Sequence, residues 1–404
     1  MLNMLTKTRA WLVVAILATT ATFADQYKKN CVIVPERGHE MAESQVMPAY
    51  GAPALLDVKN SWDFYGTGSF IYWQARQENM EIGLISENDP EGKLSAGDFP
   101  FATSYVNNIS TTSPNFTFRP GFKLGVGIRL NWDGWDAFAE YTRFHSKISS
   151  GVRPLSPSTA GVGASHPNGQ YLYPIQGAAG GNGGVTGFYQ SANQSWKLKM
   201  DFVDLSLARA YYSGTKLTVR PFFGVRGAWI RQNLKTAYAG SSVYLTPQTE
   251  TSGNFNSKVT NFYSSWGVGP RTGFESNWMI GRGLRFIGNG SGDILYTRYD
   301  IHENQQTSSL TTTPGTNPIV TNSSVSQDID YLRTHLDLEL GFGWGMYFHQ
   351  NDYHIDLSAT YGFQVFWNQN MFRSFQDQLI PGASFAPNGD LFIHGLTATA
   401  RFDF

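Results

Sequence analysis

"THLDLELGFGWGMYF", residues 334–348, decides the fold once it is read two letters at a time. Thr334, Leu336, Leu338, Leu340, Phe342, Trp344, Met346 and Phe348 form one set, nearly all apolar and ending in aromatics; His335, Asp337, Glu339, Gly341, Gly343, Gly345 and Tyr347 form the other. Successive side chains of a strand point to opposite faces, so alternation sustained over this length reads as a long two-faced strand. After His349-Gln350-Asn351-Asp352 the pattern resumes. Tyr353, Ile355, Leu357, Ala359, Tyr361, Phe363, Val365 and Trp367 then alternate with His354, Asp356, Ser358, Thr360, Gly362 and Gln364. Two such runs around a tight turn make a hairpin.

The same unit recurs upstream. Residues 116–130 and 135–147 flank Asn131-Trp132-Asp133-Gly134, whose Asp-Gly is a turn signal. Residues 195–212 and 216–232 flank Ser213-Gly214-Thr215, and the first run changes phase between Phe202 and Val203, as a bulge would require. Residues 258–278 and 283–300 meet at Gly281-Arg282-Gly283. The runs at 62–78 and 390–404 have no hairpin partner, and pairing them with each other would shut the sheet. Connections alternate in length: the turns above are short, whereas 79–115, 148–194, 233–257, 301–327 and 369–389 are long and rich in Gly, Ser, Thr, Asn and Pro. Ile82–Ile85 and Phe101–Val106 could add strands within them, so the count is about ten, up to about twelve.

Composition points the same way. The chain of 404 residues is 15% aromatic, contains 42 glycines and carries only 15% charged residues, against about 25% in an ordinary soluble protein. Net charge is -1 and no basic tail or patch appears, so no nucleic-acid partner is expected. Lys7 and Arg9 precede an apolar run from Ala10 to Ala18 and a Thr22-Phe23-Ala24 site, so residues 1–24 read as a signal peptide. Residues 25–61 read as a periplasmic segment and 62–404 as the folded unit. Cys31 stands alone, which excludes an internal disulfide.

An oily face on almost every strand has two explanations. In a soluble sandwich or propeller it points inward, but such strands average about 5 to 6 residues. In a membrane it points to lipid, and a tilted strand then needs about 9 to 11 residues; these runs are longer. Hydrocarbon offers no partner to an unpaired backbone group, so such a sheet must close. Trp135, Tyr141, Trp229, Trp266, Tyr353 and Trp367 at strand ends match an interfacial girdle. The last strand ends on Phe402 and Phe404, which looks like the carboxy-terminal signal read by the outer-membrane assembly machinery. The fold expected is therefore all-β: a closed antiparallel transmembrane β-barrel with short periplasmic turns and long extracellular loops.

"SFIYWQARQENMEIGL" (69–84), "GFKLGVGIRL" (121–130), "WDAFAEYTRFHS" (135–146) and "RAYYSGTKLTVRPFFGVRGAWI" (209–230) resemble the pore-forming outer-membrane proteins of the Legionella and Chlamydia-like major outer membrane protein group. The resemblance implies a porin in the outer membrane of a Gram-negative-type bacterium. Cross-linked members of that group are cysteine-rich, and the lone Cys31 departs from them.

If the oily rows face lipid, the others line the lumen. They place there Arg119, Lys123, Arg129, Arg220, Arg226, Arg271, Arg285 and Arg333 with Asp136, Glu140, Asp201, Glu275, Asp293, Asp337, Glu339 and Asp356. Mixed charges can set up a transverse field in a water-filled pore, or a salt-bridge lattice that plugs a narrow barrel. Glycines 66, 68, 121, 125, 127, 224, 267, 269, 273, 341, 343 and 345 share that face and either leave room for water or relieve crowding where the wall curves. Asp300, His302 and His145 near outward strand ends invite comparison with omptin proteases, although an Asp-His pair of this kind is usually solvated rim. No H-E-x-x-H or G-x-S-x-G occurs, so no catalytic, metal or cofactor site is expected. The leading expectation is a diffusion pore for small polar solutes or ions. The alternatives are an adhesin-like structural barrel acting through its loops and an omptin-like protease. Outer-membrane lipid, the assembly machinery and copies of the same chain are the partners expected.

Overall fold

The structure is a computed structural model that describes residues 50–54, 58, 63–88, 106–130, 134–153, 170–176, 189, 191–245, 250–310, 319–375, 384–385 and 389–404. The signal peptide at 1–24, Cys31 and nearly all of segment 25–61 lie outside the described residues, as do Asn131, Trp132 and Asp133 of the first turn. Ten strands form the wall. They are β1 (Phe64–Gln77), β2 (Phe118–Arg129), β3 (Trp135–Val152), β4 (Ser191–Arg209), β5 (Leu217–Leu245), β6 (Glu250–Gly281), β7 (Leu284–Leu310), β8 (Ile319–Phe348), β9 (Tyr353–Phe366) and β10 (Leu391–Asp403). Each is antiparallel to its neighbours in the chain, and β10 pairs with β1 from Leu391↔Gln77 to Asp403↔Tyr65, which closes the ring. Tyr50–Pro53 adds a short strand against Tyr211–Ser213 at the periplasmic end.

The alternation of the opening stretch is now physical. Leu336, Leu338, Leu340, Phe342, Trp344, Met346 and Phe348 are exposed on the outside, while His335 and Asp337 are buried inside. Tyr353, Leu357, Tyr361 and Phe363 continue the outward apolar surface on β9, with Trp367 exposed just past its end. A soluble protein would bury these rings; a closed wall can offer them only to lipid.

The structure departs from the sequence reading in four places. First, β4 has no bulge. Its register with β3 and β5 is unbroken, and its even-numbered residues face inward from Ala192 to Ala208. What changes near Phe202 is the solvent outside. Val203, Leu205 and Leu207 face outward toward lipid, whereas farther out Trp196, Leu198, Met200 and Phe202 are apolar inward. Asp201 is therefore outward, bonded to Tyr141 Oη at 2.9 Å, and Asp204 holds the lumenal position.

Second, the connections at 233–257 and 301–327 are mostly strand, because β5 to β8 run 29, 32, 27 and 30 residues, far beyond the 9 to 11 or so that cross a bilayer. Third, most of Ile82–Ile85 falls in a strand, Gly83–Asn88, but it joins Val106–Thr112 and Gln170–Pro174 in a separate three-stranded sheet that leaves the barrel count unchanged, and of Phe101–Val106 only Val106 is among the described residues. Fourth, Gly66 and Gly68 face outward, since Tyr65 and Ser69 on the other face are the buried ones. Of the inward glycines, Gly341 shows why the position excludes a side chain: a Cβ there would lie 2.1 Å from the Ala359 carbonyl oxygen of β9. Glycine lets the wall coil tightly at that point.

Candidate lumenal site

The lumen has two halves with opposite chemistry. In the half within the lipid band, inward positions carry charges that meet across the barrel. At the periplasmic end Asp403, fully buried, binds Arg129, takes a hydrogen bond from Arg401 Nη2 at 2.7 Å and lies 3.1 Å from His354 Nδ1. Arg285 donates to Asp356 at 2.6 Å. Arg220 bridges Asp136 at 2.6 Å and Glu275 at 2.8 Å, and Tyr65 Oη donates to the same Asp136 at 2.7 Å. Farther outward Lys123 lies 3.8 Å from Glu140 and 3.7 Å from Glu339. At mid-depth Arg226 forms a two-pronged pair with Asp204 at 2.6 and 2.7 Å, donates to Asp293 at 2.8 Å and sits 2.9 Å from His335 Nδ1. Arg271 reaches Asp204 at 3.5 Å and donates to Ser291 at 3.0 Å.

Two-faced strands bring these residues together because they come from β1, β2, β3, β4, β5, β6, β7, β8, β9 and β10 in turn, each with its odd or even set inward. Lys123, Arg129, Asp136, Glu140, Arg220, Arg226, Arg271, Glu275, Glu339 and Asp356 all join the lattice. Asp337 is inward and buried among them, but its Oδ1 has no hydrogen-bond partner among the described residues. Arg119 stands exposed at the outer end of β2, donating to the Lys147 carbonyl at 2.9 Å. Arg333 belongs to the outer half, donating to Tyr299 Oη at 3.2 Å and lying 4.4 Å from the Tyr331 ring. Asp204 and Asp403 are hubs that the list of expected lumenal residues lacked. The signal for Asp204 was there in its even spacing with Phe202 and Leu198, once the apolar inner row is allowed to switch faces.

The outer half is filled mainly by apolar and aromatic side chains, with uncharged polar groups such as Gln77, Gln194 and Gln232 buried among them. Ile71, Trp73, Phe144, Trp196, Leu198, Ile230, Leu234, Tyr263, Tyr299 and Ile393 form one buried cluster inside the wall. The chain after β9 turns into it. Asn368 adopts a left-handed φ of 52°, a conformation asparagine tolerates, and Gln369, Asn370, Met371 and Phe372 are then buried within the barrel. Tyr263 Oη donates to the Gln369 carbonyl at 2.7 Å, Tyr299 Oη to its side-chain oxygen at 3.0 Å, and the Phe372 ring lies 5.4 Å from that of Tyr263. Where the two halves meet, beside His335, Phe366 and Gln369, the void is about 10 Å³, room for a single water.

Asp300 and His302 are bonded to each other, 2.9 Å apart, on the outer surface of β7, where both are about half exposed. His145 is on β3 and lies 3.6 Å from Asp201. Among the described residues, no cluster of acidic, His and Cys side chains could hold a metal ion.

A closed ten-stranded wall, apolar toward lipid and charged within, defines an outer-membrane β-barrel protein. Residues 57–404 match the family model described as the Legionella pneumophila major outer membrane protein precursor, and the chain belongs to that family. Among curated protein sequences nothing matches. Solved structures that are similar in part include the outer membrane protease OmpT of Escherichia coli, at 7% identity and TM-score 0.31, covering 87% of this chain and 99% of that one. The toluene transporter TodX of Pseudomonas putida matches at 10% identity and TM-score 0.24, covering 85% and 90%.

Proposed function

We propose that this protein is a gated outer-membrane channel for small polar solutes or ions, shut in the present conformation by the inward-folded residues Gln369, Asn370, Met371 and Phe372. The observation that carries this reading is the split lumen. Charged pairs removed from water contribute little net stability, and apolar residues of similar volume do as well or better. The outer half of the same barrel is filled mainly by apolar and uncharged polar side chains, so stability alone gives no reason for the dense charge of the inner half. Among the described residues, Asp337 Oδ1, Asp293 Oδ1 and His335 Nε2 are buried without hydrogen-bond partners, at about 1 to 3 kcal/mol each, and a hydrated passage would satisfy them.

Planar-bilayer recording of the refolded full chain tests this. The native protein is expected to stay mostly closed, and Phe372→Ala, which removes the ring against Tyr263, to raise the open fraction at least tenfold. Arg220→Gln or Asp337→Asn should then change the unit step. A folded, inserted Phe372→Ala sample that never conducts would overturn the reading. The long outward extension of β5 to β8 favours a second reading, a surface structural barrel that acts by contact, and that is the reading such silence would leave.

A further inference from the structure

The outer surface just beyond the lipid band carries a patch of positive charge that neither the lumen nor the fold needs. Tyr141 on β3, Val203 on β4 and Trp229 on β5 are the last large apolar outward residues of their strands. Beyond them the outward positions hold Arg143, Lys147, Lys197, Lys199, Arg231 and Lys235, all exposed, interspersed with His145, Asp201 and Asn233. The register sets them side by side: Lys147 faces Lys197, and Lys199 has His145 on one flank and Arg231 on the other. Like charges directly opposite each other in a sheet are destabilising. Among the described residues, Lys147, Lys197, Lys199, Arg231 and Lys235 form no ion pair; the patch's one carboxylate, Asp201, lies against Tyr141 and His145. The opposite wall differs at the same level, with Asp300, Asp328 and Asp330 outward and Arg298 held by Asp328 at 3.4 Å.

We infer that the β3–β5 face binds the phosphorylated headgroup of an outer-leaflet lipid. Depth and continuity select a lipid over a soluble anion. The cations begin within two residues of the aromatic girdle, about 7 Å along a strand, where headgroups lie. Directly beneath them Val203, Leu205, Leu207, Phe223 and Val225 offer an apolar wall for the acyl chains of the same molecule. The patch is broad enough for two phosphates: Lys147 with Lys197 makes one cluster, and Lys199 with Arg231 the next row inward.

The full chain, refolded in a zwitterionic detergent, is titrated with diphosphorylated lipid A and with its dephosphorylated form, beside Lys197→Gln/Lys199→Gln/Arg231→Gln. The native protein should prefer the phosphorylated lipid. At roughly fivefold per charge near a membrane surface, the triple variant should lose about 100-fold of that affinity while keeping its heat-dependent gel shift. Arg298→Gln on the other wall should lose none. Should the triple variant fail to fold, Lys199→Gln alone carries the test, with about a fivefold loss. Equal binding of the two lipids by the native protein, equal binding by native and variant, or full displacement by equimolar inorganic pyrophosphate would overturn the inference. The readout does not involve conductance, so it stands or falls apart from the channel reading.

Discussion

Arg226 shows how one buried side chain ties a barrel across its width. It is 4% exposed, and its guanidinium joins Asp204 on the neighbouring β4 to Asp293 on β7 and His335 on β8 across the lumen. Removing Arg226 leaves Asp204 with only the more distant Arg271 at 3.5 Å and takes the arginine from Asp293, and breaking a buried pair in this way costs up to about 3 to 5 kcal/mol. Arg226→Met should therefore lower the denaturant midpoint measured by gel shift, and adding Asp204→Leu should recover part of the loss. Further loss in the double variant would show that the pair itself is favourable. Gly341 makes a different argument, from space alone. Gly341→Ala must push β8 away from the Ala359 carbonyl, and reduced assembly yield is expected; normal yield would mean that the wall can relax there.

At the scale of elements, the outward halves of β5 to β8 behave as a small soluble β-structure standing on a membrane protein. Their inner face holds Asn261 and Glu303, cross-strand partners that are both nearly fully buried, and neither Glu303 carboxylate oxygen has a hydrogen bond among the described residues. Glu303 lies beyond the lipid-facing rows, which on β7 end near Tyr296. Burial pushes its carboxyl from the usual 4.5 up to about 7, against the opposing pull of Arg373. The sign follows from linkage: the folded form holds the proton more tightly than the unfolded one, so this stabilisation is complete below about pH 4.5 and fades as pH rises toward 7. Amide hydrogen exchange in the outward part of β7 should speed up across that window in the native chain. Glu303→Gln should flatten the difference, and an unchanged pH profile in the variant would refute the assignment.

At the scale of the molecule, closure depends on the last strand. β10 pairs with β1 along thirteen residues, and Phe402 lies 5.7 Å from the Tyr353 ring and 5.8 Å from that of Phe404 on the outer face. Deleting Phe404 removes little packing but takes away the terminal aromatic proposed as the assembly signal. Several-fold less barrel in the outer membrane, with unchanged stability of what does assemble, is the expected outcome of fractionation and gel shift. Equal yield would separate the aromatic terminus from assembly.

Period-two alternation determined the class of fold, the ten wall strands, the short turns at one end and the pairing of the first strand with the last. These follow from local geometry, because side-chain direction alternates wherever a strand exists and a membrane leaves only one way to satisfy the backbone. The inward charges of β2, β3, β5, β6, β8 and β9 were legible for the same reason. Which residues meet across the lumen was not: Arg226 faces Asp204 and Asp293 faces His335 on neighbouring strands, but no single stretch encodes that the two pairs meet inside the closed ring. Nor was the switch of faces. A row such as Trp196, Leu198, Met200 and Phe202 has the same period whether it meets lipid outside or side chains inside, and only the closed barrel, with residues 369–372 folded into it, decides that these side chains fill the lumen.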